Sequence, residues 1–310
     1  MTTGAPSPST AAPIVTDEAM ADLRSAFRGQ MLRPGDDGYD IARRVWNAMI
    51  DKRPMVIARC NGTADVVTAV RFALEHGLTL AVRGAGHNVA GNAVCDGGLV
   101  VDLSAMKGIR VDPNARVAQV QPGANWGDLD QATQLFWLAT TGGEVSTTGI
   151  AGFTLSGGMG LLQRKWGLAC DNLRSAEIVT ADGEVLRANE DEHPDLFWAL
   201  RGGGGNFGAV TWFEFDLHPV GPEVYTAATY YPLSEAARIF RAWREFAAGA
   251  PDDVTSQVFF WSLPPLPDLP AETHGAPFVG VAGLYAGSAA DGERALAPLL
   301  TWGTPIVALS

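Results

Sequence analysis

The run Arg83-Gly84-Ala85-Gly86-His87-Asn88 follows an apolar, strand-like stretch and is itself followed by Gly91. Glycines let the main chain approach a ligand and present successive N–H donors, so such a loop can hold phosphate oxygens without a cluster of Lys or Arg. An imidazole in that setting is badly sited for packing and well sited to touch whatever the amides hold. The loop points to a phosphorylated cofactor and to chemistry done with it.

Two further glycine clusters need separate readings. Gly203-Gly204-Gly205-Asn206-Phe207-Gly208 fits the G-x-G-x-x-G pattern. A dinucleotide fingerprint, however, needs a strand before it and a helix after it. Here a helix-like segment, Asp195 to Arg201, comes first and a strand follows, so the context is inverted. No G-K-[ST] occurs, which removes the P-loop reading. The second cluster runs from Thr141-Gly142-Gly143 through Gly149, Gly152, Gly157, Gly158 and Gly160. Glycine costs about 0.5–1 kcal/mol relative to Ala in regular structure, so this density implies backbone passing close to something large and flat. Interleaved Ile150, Phe153, Leu155 and Met159 argue against a loose linker.

The elements that must position these loops can be outlined from periodicity. Pro54 to Arg59 reads as a strand, and Thr63 then caps a helix whose Val66, Val67, Val70 and Leu74 share a face, ending near Gly77. Leu78 to Val82 and Gly98 to Leu103 are further strands, which puts the histidine loop at strand ends, where open α/β sheets bind ligands. From Gly108 the pattern changes to hairpins: Ile109 to Val111 with Arg116 to Gln121, and Ala176 to Thr180 with Glu184 to Ala188. A helix spans about Trp126 to Phe136, and Thr211 to Leu217 alternates as a strand. Beyond Pro222, Val224 to Tyr231, Val258 to Ser262, Phe278 to Tyr285 and Pro305 to Leu309 read as strands. Ser234 caps a helix carrying Ile239, Phe240, Trp243 and Phe246, and another helix lies around Glu293 to Leu300. The run Leu263-Pro264-Pro265-Leu266-Pro267 is loop punctuation.

Composition limits the partners. At 310 residues with 47% hydrophobic content the chain can bury a sizeable core across two domains. A net charge of −12, from 22 basic and 34 acidic residues, disfavours nucleic acid and anionic membrane surfaces and leaves a small molecule as the expected partner. Residues 1–16 read as a disordered lead and not as a signal peptide, and no apolar run reaches membrane-spanning length, so a cytoplasmic location is expected. The three cysteines, Cys60, Cys95 and Cys170, show neither disulfide nor metal-ligand spacing and no metal is expected.

Taken together, the loop at 83–88, the Cys95 to Leu103 block, the Thr147 to Gly160 stretch, Trp166 to Asn172, and Asp195 to Gly208 resemble FAD-linked oxidases of the vanillyl-alcohol-oxidase, p-cresol-methylhydroxylase-type superfamily. The resemblance is strongest to its berberine-bridge-enzyme-like and 6-hydroxynicotine-oxidase-like branch, and it runs in order from about Pro54 to Pro219. It implies an α+β chain: a bipartite FAD-binding domain over residues 17–221, core about 47–220, with a small parallel β-α part plus an antiparallel sheet with helices, followed by an incomplete antiparallel-sheet substrate-binding domain over 222–310. Arg83, Gly84, Ala85, Gly86 and Asn88 would surround the pyrophosphate, and His87 would be bonded to the 8α-methyl carbon of the flavin. Gly142, Gly143, Thr148, Gly149, Gly152 and Thr154 would line the flavin and its ribityl chain, with Val179 packed nearby.

Many relatives add a cysteinyl bond from a position that is Val145 here, so only the histidyl link is expected. Thr148 sits where plant relatives gate oxygen, which leaves oxidase and dehydrogenase behaviour both open. The implied activity is hydride transfer from a small alcohol, sugar or amine to FAD, with O2 or another acceptor reoxidising it. The C-terminal segment that relatives fold back over the flavin has no counterpart, so the chain is expected to be a fragment of a longer enzyme, to be completed by homo-oligomerisation, or to be a flavin-binding remnant without turnover. An NADPH-dependent reductase on the same fold is a further reading, disfavoured by the histidine.

The other singled-out residues read as structural. His193 and His218 sit in turn contexts as solvated or capping residues, His76 closes a helix and His274 lies in a loop. Trp126, Trp137, Trp166, Trp198 and Trp212 read as core or interdomain packing. Cys170 reads as a small buried residue. Among Tyr225, Tyr230, Tyr231 and Tyr285 nothing selects a catalytic base.

Overall fold

The computed structural model describes residues 15–221, 223–263, 265 and 274–310. Residues 1–14 of the expected disordered lead, Pro222, and Pro264, Leu266 and Pro267 of the proline-rich run lie outside the described residues. Thr16, the last residue assigned to that lead, caps the first helix: its Oγ1 accepts from the Ala19 N–H at 3.2 Å.

The first layer contains α1 (Asp17–Ala26), β1 (Gln30–Leu32), α2 (Tyr39–Ala42), β2 (Val56–Arg59), α3 (Thr63–Glu75), β3 (Leu80–Arg83) and β4 (Leu99–Asp102). Its sheet has the order β1-β2-β4-β3, with β2, β4 and β3 parallel and β1 antiparallel at one edge. The helix α3 buries Val66, Ala69, Val70, Phe72 and Ala73, while Leu74 is 60% exposed. The buried stripe thus follows the i, i+3, i+4, i+7 rule through alanines, which carry little weight in a hydrophobicity count. Thr63 is the first helical residue rather than the cap. Its hydroxyl donates to Glu177 Oε1 at 2.8 Å, α3 has no side-chain cap, and the carboxylate of Asp65 in its first turn ties in the preceding chain by accepting the N–H groups of Arg28 and Asn61 at 2.9 Å each.

The second sheet is antiparallel, in the order β5-β6-β10-β8-β9, and is built from β5 (Ile109–Asp112), β6 (Val117–Val120), β8 (Leu173–Val179), β9 (Val185–Ala188) and β10 (Ala209–Asp216). Between β6 and β8 lie α4 (Trp126–Gln134), β7 (Leu138–Ala139), α5 (Ile150–Leu155) and α6 (Gln163–Trp166); α7 (Pro194–Leu200) precedes β10 and β11 (His218–Pro219) follows it. Trp126, Leu129, Ile150, Phe197, Leu200, Phe213 and Phe215 share one core under this sheet. The glycine run at 203–208 does sit between a helix and a strand, the inverse of the dinucleotide arrangement.

A third sheet, in the order β13-β14-β12-β15, consists of β12 (Tyr225–Pro232), β13 (Val254–Ser262), β14 (Pro277–Tyr285) and β15 (Val307–Leu309), all antiparallel. The helices α8 (Ala236–Gly249) and α9 (Ala289–Leu296) join a core of Ala227, Tyr231, Ile239, Val279, Val281 and Leu296. Ser234 falls within a 3-10 turn before α8 and makes no cap bond, because the turn places Glu235 at the helix boundary. The short α6 fastens this sheet to the rest of the chain. Arg164 donates to the carbonyls of Ala247 and Ala250 at 3.0 Å each, closing the C-terminal end of α8, and Lys165 Nζ reaches Ala286 O at 2.7 Å and Asp253 Oδ1 at 2.5 Å.

Candidate cofactor site

The histidine loop leaves the C-terminal end of β3. Gly86 and Gly91 adopt φ of +72° and +68°, which turns the chain sharply at positions where L side chains are strained. None of the N–H groups from Gly84 to Asn88 donates to a main-chain carbonyl among the described residues. The loop's carbonyls are engaged instead: Gly86 O accepts from Trp46 N–H at 3.0 Å and Asn88 O from Gly91 N–H at 3.1 Å. A row of such donors at a strand end has the chemistry to hold an anion.

The second glycine cluster closes on this loop. A Cβ built on Gly149 would lie 2.6 Å from Ala85 Cβ, and one on Gly84 would lie 3.1 Å from Pro122 O and 3.6 Å from Ala151 Cβ. The glycines therefore let three backbone segments meet. Gly142 and Gly143 lie against the Trp126 ring, and Gly160 is seated so that a Cβ would fall 2.0 Å from Gly142 O. Gly152 differs from these. It is exposed on α5 and an added Cβ would meet no atom within 4 Å.

Thr148 is half-buried and its carbonyl accepts from Trp126 N–H at 3.0 Å. Asn88 is exposed, with Oδ1 accepting the Ala90 N–H at 2.8 Å. Arg83 turns its guanidinium to the Ala42 carbonyl, leaves Nε buried without a partner, and has its pKa lowered, chiefly by burial. Thr154 and Val179 are fully buried. Val179 ends a strand paired on both sides, within the core that holds Met106 and Ala209, so it has no surface through which to touch a ligand.

His87 is half-buried and its Nε2 is buried with no hydrogen-bond partner. What holds the ring is Trp46, stacked on it with centroids 4.8 Å apart and planes at 21°. Trp46 lies outside every motif of the sequence reading. Only an aromatic residue in an otherwise polar stretch, Arg43-Arg44-Val45-Trp46-Asn47, could have signalled it.

The remaining candidates separate cleanly. Trp126 is core, but Trp137 and Trp198 are mostly exposed, Trp137 because it sits at φ +57° in the turn after α4. His193 stands at the N-terminal boundary of α7 with Nδ1 2.9 Å from Arg187 O. All three thiols are buried, and burial pushes their pKa values up, away from reactive thiolate. Tyr231 is fully buried and donates to Leu299 O at 2.8 Å, and Tyr225 and Tyr285 pack on the helix-covered core. Strand alternation puts Tyr230 on the opposite face, beside Phe259 and Phe278.

A cavity of about 370 Å³ lies where Glu144 and Leu161 face that same side of the third sheet, lined there by Thr226, Ala228, Gln257 and Leu284. A wider hollow of about 750 Å³ beside β1 is lined by Arg24, Arg28, Arg59, Asp36 and Asp37 and by none of the loop residues. Among the described residues, no group of His, Cys, Asp and Glu is placed to hold a metal ion, and no helix is long and apolar enough to cross a membrane.

His218 departs from the solvated role expected of it. Its ring stacks on Trp166 at 4.8 Å and 8°, and Nε2 lies 2.6 Å from Asn172 Oδ1. Asn172 Nδ2 donates to the carbonyls of Trp166 and Leu168, so Oδ1 is the acceptor and His218 carries its proton on Nε2. Burial lowers its pKa below 6.5. The unfolded chain therefore binds this proton first as pH falls, and the stability held above about pH 6.5 is lost on the way down to the depressed folded value. His218→Gln, which keeps a donor but does not titrate, is expected to flatten the Tm profile between pH 7.5 and 5 by about 2 °C, the effect being small because the ring is half-exposed. Identical profiles for the two proteins would refute this.

An FAD binding domain family matches residues 54–189. The chain is 42% identical over 193 residues to (R)-6-hydroxynicotine oxidase of Paenarthrobacter nicotinovorans, an alignment covering 62% of this chain and 42% of that protein. Among solved structures, 6-hydroxy-D-nicotine oxidase from Arthrobacter nicotinovorans superposes with a TM-score of 0.82 at 34% identity, covering 91% of this chain and 60% of the other. BBE-like 1 of Physcomitrella patens does so with a TM-score of 0.83 at 26% identity, covering 94% and 61%. The chain thus spans between 42% and 61% of the length of these proteins.

Proposed function

The chain belongs to the FAD-linked oxidoreductases of the vanillyl-alcohol-oxidase type, in the branch of the berberine-bridge-enzyme-like proteins and 6-hydroxynicotine oxidase, with FAD as cofactor; on that premise we propose that it oxidises a small alcohol, sugar or amine by hydride transfer to a flavin covalently held by His87. The observation that carries this reading is the loop itself, with unpaired N–H groups from Gly84 to Asn88 beside an imidazole whose Nε2 lacks a partner. The residues present fit the cofactor. The amides would hold its pyrophosphate oxygens, the close approach of Gly149 to Ala85 brings the second glycine segment against the loop, and the exposed face of α5 at Gly152 would leave room for it.

Bound FAD supplies the two-electron acceptor, and the protein supplies orientation and a water-poor pocket. Residues 17–221 form the cofactor-binding unit and 222–310 the substrate-facing sheet. The cavity between Glu144, Leu161 and that sheet, about 370 Å³ with Thr226, Ala228, Gln257 and Leu284 in its wall, suits a small substrate held by few polar groups. In forming the tether, one imidazole nitrogen bonds to the 8α carbon. His87 would give up its N–H proton and the 8α carbon one C–H hydrogen, with O2 as the two-electron oxidant that the attachment requires and hydrogen peroxide as its product.

The test is direct. The purified protein is expected to be yellow, to stay yellow after acid precipitation, and to bleach anaerobically with a member of a panel of small alcohols, sugars and amines. Yellow protein that bleaches with none of them would leave a flavin-binding protein without turnover. Colourless protein that cannot take up FAD would remove the proposal altogether.

A further inference from the structure

We propose that Trp46 is the positioning residue that sets the His87 ring for bonding to the flavin, and that residues 42–52 form a brace whose task is to hold the histidine loop in register. The inference rests on the histidyl-flavin reading above and adds the part of the chain that makes it geometrically feasible.

A glycine-rich loop lets the backbone approach a ligand, and for the same reason it fixes its side chains poorly. His87 is the residue in the loop whose ring must be aimed, yet no hydrogen bond aims it: Nε2 is buried and unpartnered. The orientation comes from the indole stacked on it, 4.8 Å away at 21°. An offset stack of this kind contributes about 0.5–1.5 kcal/mol beyond area burial, enough to select one rotamer of an otherwise unrestrained ring.

The brace is tied to the loop at successive points. Trp46 N–H donates to Gly86 O at 3.0 Å, one residue before the histidine, so the indole and the imidazole are placed from the same anchor. Asn47 Nδ2 donates to Val89 O at 2.8 Å, and Lys52 Nζ donates to Gly91 O and Val94 O at 3.1 and 3.0 Å. Ile50 packs so closely on Gly91 that a Cβ there would come within 2.6 Å, and Val45 Cγ1 lies 3.4 Å from where a Gly86 Cβ would be. The brace is in turn fixed to the first sheet. Arg83 of β3 donates to Ala42 O, while Arg43 ties the brace to itself through Asp51 and to α2 through Asp40.

The indole's exposure marks its role. Trp46 is 62% exposed and belongs to none of the hydrophobic cores, so packing does not account for a residue of its size. Its partner accounts for it. The ring closes one side of the imidazole and leaves bond formation to the other.

The experiment compares wild type with Trp46→Ala, Trp46→Leu and Trp46→Phe, all as the full chain, measuring total FAD, acid-stable FAD by in-gel fluorescence, the mass of the peptide holding His87, and Tm. Expected is a roughly tenfold lower acid-stable fraction in the Ala and Leu variants, with reversible FAD binding and Tm close to wild type, and recovery of the fraction in the Phe variant. Leu guards against a trivial loss of bulk, since it fills space without stacking. Equal acid-stable fractions in all four proteins overturn the role of Trp46. Absence of acid-stable flavin from the wild type overturns the tether reading instead, so the two failures are distinguishable.

Discussion

Replacing His87 with alanine is expected to remove acid-stable flavin, at least about a hundredfold, while FAD still binds reversibly, because in the proposed site the tether is one atom's chemistry and the cradle is main chain. The donors from Gly84 to Asn88 do not depend on the side chain at 87, and the close contact between Gly149 and Ala85 is likewise backbone-borne. The substitution also deletes a buried nitrogen that has no partner. Loss of the unsatisfied nitrogen costs the fold nothing and what it gives up is the stack on Trp46, about 0.5–1.5 kcal/mol, so the Tm of the cofactor-free protein is expected to fall by only a few °C. Turnover falls further than binding, since an untethered ring must be oriented afresh in each complex. The readouts are fluorescence of the acid-precipitated protein, FAD retained on ultrafiltration, and rate. Undiminished acid-stable flavin in the alanine variant would place the attachment elsewhere, and simultaneous loss of reversible binding would mean that the cradle depends on the imidazole.

Much of this was legible in the sequence because backbone roles are written in residue type. A glycine that must adopt positive φ, as Gly86 and Gly91 do, announces a turn whatever surrounds it, and the alternation along 211–217 announces a strand with two unlike faces. What failed to show was of two kinds. Helix faces built from alanine were misplaced: the stripe on α3 runs through Ala69 and Ala73, not Leu74, because a small residue contributes packing without contributing hydrophobicity. Side-chain partners distant along the chain were invisible. Nothing local in Val45-Trp46-Asn47 says that the indole will lie on His87, nothing in Leu217-His218-Pro219 says that the imidazole will lie on Trp166, and Thr63 resembles an N-cap until Glu177 of another sheet claims its hydroxyl. The sequence also could not tell which tyrosine faces the cavity side of the third sheet, a matter settled by which face of β12 packs on the helix-covered core.

The sharpest test of the cradle uses two glycines of the same segment that the structure treats oppositely. Gly149→Val drives a branched side chain into Ala85, whose Cβ lies 2.6 Å and whose N lies 3.0 Å from the new Cβ. Relief requires the two loops to part, and overpacking of this kind costs about 1–3 kcal/mol, so both Tm and FAD affinity are expected to fall, the latter by about 100-fold. In Gly152→Val the new Cβ points into open space, with nothing within 4 Å beyond its own helix turn. Its fold is therefore expected to be as stable as wild type without cofactor, apart from a few tenths of a kcal/mol of helix propensity. With FAD present the added isopropyl group occupies space that the cofactor needs, so binding is lost although nothing in the protein has been disturbed. Titration of FAD by fluorescence quenching, paired with Tm of the cofactor-free proteins, separates the two cases. If Gly152→Val binds FAD like wild type, the exposed face of α5 is not a wall of the site, and the cofactor is held by the 83–88 loop and Gly149 without it.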